Sequence, residues 1–227
     1  MSGTIAIVGG TGAEGMGLAL RWARAGIAIV IGSRDAERAR QAAARIRQRA
    51  GSPASIEGAT NSDAARAADI VVLTIPFVSQ AATVRDLKQH LRPGTIVVDT
   101  TVALAAGVGG SATRTLGVWQ GSSAEQAAEI LGKDFPVVAA FHHLPAGVLD
   151  GDGPVDCDVI ICTNHEAARA RVSELAEKIP GVRAINGGRL ENSRTLEQMT
   201  ALLIAINRNH KVHGAGYRVT GVRPGNS

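Results

Sequence analysis

The stretch T-I-A-I-V-G-G-T-G-A-E-G-M-G, residues 4–17, constrains this chain more than any other. A short apolar run, residues 5–8, breaks into glycines at Gly9, Gly10, Gly12 and Gly15, and a helical pattern follows over about 16–25. Strand, tight turn and helix, with Gly10-x-Gly12-x-x-Gly15 at the turn, make a seat for a pyrophosphate. Gly10 is expected to allow the sharp turn and Gly12 to let the backbone approach the ligand. Gly15 is expected to let the helix pack close to the strand, while the helix N-terminus points free N–H groups at the anion. The glycine spacing alone is common, but its place between a strand and a helix gives it force.

Apolar runs and helical patterns then alternate. Strands are predicted over 27–31, 54–58, 70–75, 95–98 and 136–140, and helices over 35–50, 61–67 and 78–91. Asn61 or Ser62 is expected to cap the second of these helices. Ser123 with Gln126 offers a capping box for a further helix to 131. Residues 102–121 carry five glycines and no period, and read as a long loop near the site; 144–154 also read as loop. A second strand–helix–strand segment covers 159–162, 166–179 and 182–185, and a long helix runs from about 192 towards 213. Helices between strands predict a parallel sheet with right-handed crossovers. The expected fold class is therefore α/β: a doubly wound parallel sheet of the Rossmann type over 1–145, with a second, smaller α/β domain over 146–227.

Composition narrows the function. Aromatic residues make up 3% of the chain, so the stacking platforms of a single-strand nucleic-acid binder are scarce. The formal charge of +4 fits an anionic small ligand better. It is uneven: from Arg189 onward, Arg189, Arg194, Arg208, Lys211, Arg218 and Arg223 face only Glu191 and Glu197. Cys157 and Cys162, five apart in one strand, are expected on opposite faces and unpaired, and two thiols are too few for a structural metal site. No apolar stretch approaches the roughly 20 residues of a membrane span. Met1-Ser2-Gly3 leads straight into a strand rather than a signal peptide, so the cytoplasm is the expected location.

The second strand selects the dinucleotide. A site for NAD usually places Asp or Glu near its end, to hold the ribose 2′-OH. Here the strand ends in Ser33-Arg34, with Arg38 one turn on. A hydroxyl and two guanidiniums suit a 2′-phosphate, so NADP is expected. Asp35, as a helix-starting residue, is expected to point elsewhere. Thr74-Ile75-Pro76 ends the fourth strand, at the carboxyl edge where ligands sit in such sheets, and Pro76 could pack against a ribose or the nicotinamide. His142-His143 follows the sixth strand at the same edge. Adjacent side chains on extended backbone diverge and no acid lies close in sequence, so no metal is expected. A hydrogen bond from one imidazole to a polar ring is the better reading.

The ordered set G-G-T-G-A-E-G, G-S-R, L-T-I-P, H-H-L-P-A and E-N-S-R resembles the deazaflavin-dependent NADP reductases, the NADPH:coenzyme F420 oxidoreductases, from residue 5 to about residue 222. The resemblance implies NADP(H) along the first domain and coenzyme F420 stacked on the nicotinamide in a cleft closed by the second. It implies that Gly10, Thr11, Gly12, Ala13, Glu14 and Gly15 meet the pyrophosphate side, and that Ser33, Arg34 and Arg38 hold the 2′-phosphate. Thr74, Ile75 and Pro76 would border the nicotinamide, and the Ala146 backbone would orient its carboxamide. His142, Leu144 and Pro145 would border the deazaflavin, with Asn192, Ser193 and Arg194 on the same side. Glu14 brings a carboxylate close to phosphates, and the family pattern gives His143 no role. The family also implies a homodimer.

Hydride transfer between two bound rings needs no nucleophile or metal. It needs the rings held in near-contact, water excluded and the anion developing on the acceptor ring stabilised, a role expected of His142. Two other readings remain open from the sequence: reduction of another small acceptor, an imine or a ferric chelate, on the same scaffold, or a non-catalytic NADP-sensing module.

Overall fold

The computed structural model describes residues 3–222. The chain runs β1 (Thr4–Val8), α1 (Ala13–Arg24), β2 (Ala28–Ser33), α2 (Ala36–Ala50), β3 (Ile56–Thr60), α3 (Asn61–Ala67), β4 (Ile70–Leu73), α4 (Phe77–Lys88) and β5 (Ile96–Asp99). It continues α5 (Ser123–Leu131), β6 (Val137–Ala139), α6 (Ala146–Leu149), β7 (Cys157–Thr163), α7 (Glu166–Glu177), β8 (Val182–Asn186) and α8 (Ser193–His210). The strands form one eight-stranded sheet in the order β3-β2-β1-β4-β5-β6-β7-β8.

Consecutive strand residues face opposite sides of a sheet. Ile5 and Ile7 of β1 enter a core shared with Leu18, Trp22 and Ile46 on one face. Ala6 and Val8 enter a second core with Val84, Leu87, Ala127 and Leu196 on the other. Both faces are covered, so the strands read as unbroken apolar runs. Cys157 belongs to the first core and Cys162 to the second, and both thiols are free, as their five-residue spacing predicted.

The expectation of a wholly parallel sheet is corrected at one joint. β6 pairs with β7 antiparallel, Val138 opposite Thr163 and Ala139 opposite Cys162. A parallel return needs a crossover helix, and between β6 and β7 the chain supplies only the one-turn α6. β7 therefore starts at the edge where β6 ends and runs back. β8 pairs parallel with β7 across α7. The sheet is thus continuous across the 145/146 boundary.

Other local expectations shift by a residue or an element. Thr60, not Asn61 or Ser62, caps α3 by accepting from the Asp63 N–H. Ser122, not Ser123, caps α5, accepting from the Glu125 N–H at 3.0 Å. The glycine-rich stretch carries a 3₁₀ turn at Ala105–Val108, and the loop after His143 carries α6.

Candidate functional site

The strand order reverses between β1 and β4, and ligands in such sheets lie in the crevice at the carboxyl ends beside that point. The glycine turn sits there. Its left-handed residue is Gly9, φ 73°, rather than Gly10. Gly10 is required for space: a Cβ there would lie 2.6 Å from the Ile7 carbonyl. At Gly15 a Cβ would lie 2.6 Å from the Gly10 Cα and 2.7 Å from the Thr74 hydroxyl, so helix and strand do pack in contact. Gly12 differs. Its nearest neighbour would be 3.6 Å away, an ordinary contact, and the residue is exposed. Nothing inside the protein forbids a side chain at Gly12, which leaves a close-approaching ligand as the physical reason for glycine.

The turn is fixed from below. The Gly10 N–H donates to the Ile7 and Gly32 carbonyls at 3.1 and 3.0 Å, and the Gly9 N–H to Asn61 Oδ1 at 3.3 Å. Thr74 Oγ1 donates to the Val8 carbonyl at 3.0 Å. The N–H groups of Thr11, Ala13, Glu14 and Gly15 make no hydrogen bond among the described residues. They are the orphan donors of the start of α1, an anion seat with its dipole. This bond from the glycine turn to Asn61 was not foreseen from the sequence, which offered Asn61 only as a helix cap. Asn61 starts α3, and its side chain reaches across to Gly32, where a Cβ would meet it at 2.9 Å.

At the end of β2, Ser33 is buried and its Oγ accepts from the Asp35 N–H at 3.2 Å. Asp35 caps α2 by accepting from the Glu37 and Arg38 N–H groups, so its carboxylate is turned to the helix as expected. Arg34 and Arg38 are exposed, and neither guanidinium has a hydrogen bond or ion pair among the described residues. Two unneutralised cations thus stand one turn apart beside the turn. Across the crevice, Ile75 Cγ2 abuts Gly9, and Pro76 is exposed as the N-cap of α4.

Glu14 is half-buried. Its Oε1 is buried and finds no hydrogen-bond partner. Burial pushes its carboxyl up to about 8, with Asp99 adding in the same direction and Thr100 opposing. Burial thus favours the neutral acid, which eases the clash with phosphates that the sequence raised.

The other wall begins where β6 ends. Phe141 has φ 68°, a conformation that costs a non-glycine residue about 1–3 kcal/mol. Its ring is fully buried and meets Trp22 edge-on, with centroids 5.6 Å apart, which offsets that cost. The kink sends the two histidines apart. His143 is locked. Nε2 lies 2.6 Å from the Asp158 carbonyl, which can only accept, so Nε2 carries the proton and Nδ1 accepts from the Tyr217 hydroxyl at 2.8 Å. The Tyr217 ring stacks on it at 4.1 Å. Its role is to hold the chain end against this loop.

His142 is the opposite. It is buried, and neither ring nitrogen has a partner. Burial pulls its pKa down to about 3, with His143 adding, so it is neutral across the physiological range. A neutral imidazole offers one donor and one acceptor, and both are vacant. Leu144 is buried, Pro145 precedes α6, and the Ala146 N–H has no partner among the described residues.

Residues 4–103 match the family described as NADP oxidoreductase, coenzyme F420-dependent. The F420-dependent NADP reductase of Methanothermobacter thermautotrophicus is 47% identical over 95% of this chain and 94% of its own length. That of Methanocaldococcus jannaschii is 44% identical over 95% and 97%. The chain belongs to the F420-dependent NADP reductase family. The members of this family are oxidoreductases of NADP and coenzyme F420, so the resemblance carried by the five motifs holds. Among solved structures, a chain described as an F420-dependent NADP reductase from Arthrobacter sp. FB24 superposes with a TM-score of 0.81, at 23% identity over 96% of this chain and all of that one. An imine reductase from Bacillus cereus gives 0.61 at 15% identity, over 92% of this chain and 62% of its own. These likenesses show the fold alone.

In E-N-S-R, Asn192, Ser193 and Arg194 bond to other parts of the chain, and Ser193 alone of the four is buried. Ser193 is buried and donates to the Ser122 hydroxyl at 2.7 Å. Arg194 forks onto Glu125 at 2.8 and 2.6 Å over Gly121, and Asn192 donates to the Gly187 carbonyl. A polar array unforeseen from the sequence lies behind it. Gln80 Nε2 donates to Asp99 Oδ2 at 2.6 Å and to the Ser123 carbonyl at 2.7 Å. Glu197 of α8 accepts from the Ser123 N–H, the Ser123 hydroxyl and the Ala124 N–H, at the start of α5. Burial, then Asp99, pushes Glu197 up to about 8, and burial pushes Asp99 up to about 6. Ser193, Glu197 and Thr200, spaced along one face of α8, were the available signal. Among the described residues no group of His, Cys, Asp or Glu has the arrangement of a metal site.

Proposed function

We propose that the hydride passes between NADP(H) and coenzyme F420 at the carboxyl edge of the sheet, with the dinucleotide on the glycine turn and the deazaflavin on the His142 side. The two coenzymes supply the redox chemistry: one gives a hydride and the other accepts it, in either direction. The chain's part is to bind, orient and exclude water. The N–H groups of Thr11, Ala13, Glu14 and Gly15 take the pyrophosphate over the open face of Gly12. Ser33, Arg34 and Arg38 take the 2′-phosphate, and Thr74, Ile75 and Pro76 bound the nicotinamide end, with Gly10 setting the turn. The Ala146 N–H meets the carboxamide. Leu144 and Pro145 wall the deazaflavin side, and Asn192, Ser193 and Arg194 hold that wall through Gly187, Ser122 and Glu125. Neutral His142 donates its N–H to the acceptor ring as negative charge develops there.

The observation that carries this placement is the pair of free guanidiniums, Arg34 and Arg38, beside orphaned backbone donors at a glycine where nothing internal forbids a side chain. The test is coenzyme selectivity. Arg34→Ala/Arg38→Ala should weaken NADPH at least tenfold and leave NADH within about twofold, at about 1.5–3 kcal/mol per charged hydrogen bond. Equal effects on both would contradict it.

The same reading includes four further features. Residues 146–227 act as the closing part. Leu202, 59% exposed on α8 near the partly buried Met199 and Ile206, supports a homodimer through that helix, to be read as a doubled mass by light scattering. Among the described residues no helix is long and apolar enough to cross a membrane, and the free, buried thiols suit the reducing cytoplasm. The scarcity of aromatics supports small-molecule rather than nucleic-acid partners.

A further inference from the structure

We propose that Arg21 is a positioning residue for the hydride transfer: it fixes α6 to α1, and so holds Pro145 and the Ala146 N–H at a constant reach from the pyrophosphate seat. The inference rests on the placement of the two coenzymes given above. It begins with a cation in the interior. Arg21 stands in the middle of α1 and is 3% exposed. Its Nε donates to the Leu149 carbonyl, its Nη2 to the Val148 carbonyl and its Nη1 to the Gly153 carbonyl, each at 2.7 Å. Among the described residues no acid pairs with it. Asp150 and Asp152, on the same loop, are taken by Arg49 and Arg24.

The segment it holds needs such an anchor. A single helical turn does not persist on its own, and within α6 only Leu149 is buried. Val148 and Leu149 carry carbonyls of the kind a helix end leaves without helical partners, and Arg21 takes both. Gly17 lies four residues earlier on the same face of α1 and makes room for the turn: a Cβ there would lie 2.6 Å from the Leu149 Cβ. Arg24, one turn on, holds the Gly151 carbonyl and Asp152 beyond α6. The other end of α6 bears the free Ala146 N–H, directly after Leu144 and Pro145. One helix therefore carries both parts of the dinucleotide site: the orphan donors at its N-terminus and, through Arg21, the turn assigned to the carboxamide. Burying a cation is costly, and apolar side chains of similar volume often hold such a contact as firmly. What the guanidinium adds is a single orientation, because its donors form a rigid planar fork. Hydride transfer is sensitive to that orientation, since a displacement of about 1 Å can slow a reaction about 100-fold.

The experiment separates holding from orienting. Arg21→Met keeps the stem and removes the fork. Binding of 2′,5′-ADP, which has the 2′-phosphate and no nicotinamide, is read by calorimetry. The single-turnover rate at saturating NADPH and oxidised coenzyme F420 is read from the deazaflavin absorbance, on protein shown to be folded by its melting curve. Arg21→Met should bind 2′,5′-ADP within about twofold of wild type and transfer hydride about 30- to 100-fold more slowly. Arg21→Lys keeps the charge but not the fork, and should fall about tenfold. Arg24→Ala, which loses a largely solvated pair beyond α6, should stay within about twofold. Gly17→Ala presses on Leu149 without touching the charge; it should slow transfer about tenfold with 2′,5′-ADP binding intact, and it decides the matter if Arg21→Met does not fold. A role in stability alone would lower the melting temperature and leave the rate of the folded, saturated protein unchanged. That result in Arg21→Met, or in Gly17→Ala, overturns the proposal, as does an equal loss of 2′,5′-ADP binding. A wild type that binds both coenzymes and transfers no hydride overturns the underlying placement instead.

Discussion

The wall built from β1, β4 and the start of α1 and the wall built from β6, α6 and the chain end are held by different physics. On the first, position comes from backbone against backbone: Gly15 on Gly10, Gly9 on Thr74, and N–H groups on strand carbonyls. Side chains are nearly absent, so the donors that remain are free. On the second, position comes from charged and aromatic side chains brought from far along the chain. Asp158, with no side-chain exposure, takes Arg183 at 2.7 and 2.6 Å and Arg218 at 2.8 Å. Val219 N–H adds a further bond, Arg218 also pairs with Asp156, and Tyr217 pins His143. Most of the polar groups described there are consumed by structure, while His142 and the Ala146 N–H are left free. A wall made of backbone can hold many donors ready for a ligand, whereas a wall made of side chains keeps few.

The largest effect expected from breaking this contrast is on the second wall. Asp158→Ala leaves two guanidiniums without their buried partner and should cost about 3–5 kcal/mol, read by denaturant unfolding. The same pair sets the acid limit. Burial favours neutral Asp158, but Arg183, the Val219 N–H and Arg218 outweigh it and hold its pKa at about 2. That lies below the ~3.9 of an unfolded Asp. The stability it adds, about 2–3 kcal/mol, is therefore complete above about pH 5 and lost as the pH falls from about 4 to 2. Asp158→Asn should flatten that part of a melting-temperature profile.

On the first wall, Gly15→Ala and Gly12→Ala should separate packing from binding. The first forces a Cβ to within 2.6 Å of the Gly10 Cα and should lower stability by about 1–3 kcal/mol. The second meets nothing closer than 3.6 Å, so it should melt close to wild type and lose NADPH affinity by about tenfold or more. A Gly12→Ala protein that binds normally would blur the contrast. Next come the histidines. His142→Ala removes two unsatisfied nitrogens, so it should not destabilise, while turnover with F420 falls by about 10- to 100-fold. Unchanged turnover and coenzyme affinity would remove His142 from the reaction. Smallest is Tyr217→Phe, which deletes one hydrogen bond to His143 and should cost about 1 kcal/mol with little change in turnover.

The sequence made the first wall legible because its physics is local. Glycine spacing, a strand end and the residue types Ser33, Arg34 and Arg38 are all readable within 40 residues, and the structure places them together. Which glycine turns the chain was misassigned: Gly9, not Gly10, has the left-handed conformation. The second wall resisted because its partners are distant. Nothing near His143 announces Tyr217, 74 residues on, and nothing near Cys157 or Val159 marks Asp158 as the centre of an ion cluster reaching to Arg218. The basic residues from Arg189 onward were legible only as an excess of charge, and two of them have partners that the sequence did not announce. Arg194 is paired with Glu125 and Arg218 with Asp156 and Asp158, and Arg223 lies outside the described residues. The antiparallel joint between β6 and β7 was hidden because periodicity reports strands and not their direction. Glu14 was legible as an anomaly, but its neighbours Asp99 and Thr100, more than 80 residues on, were not.

The central claim is that one wall holds the dinucleotide and the other presents the deazaflavin for a direct hydride transfer. Purified protein mixed with NADPH and oxidised coenzyme F420 should remove the deazaflavin absorbance, and Gly12→Val, folded as judged by its melting curve, should fail to do so. Persistent deazaflavin absorbance with wild-type protein and bound NADPH, or full turnover by Gly12→Val, would contradict the account.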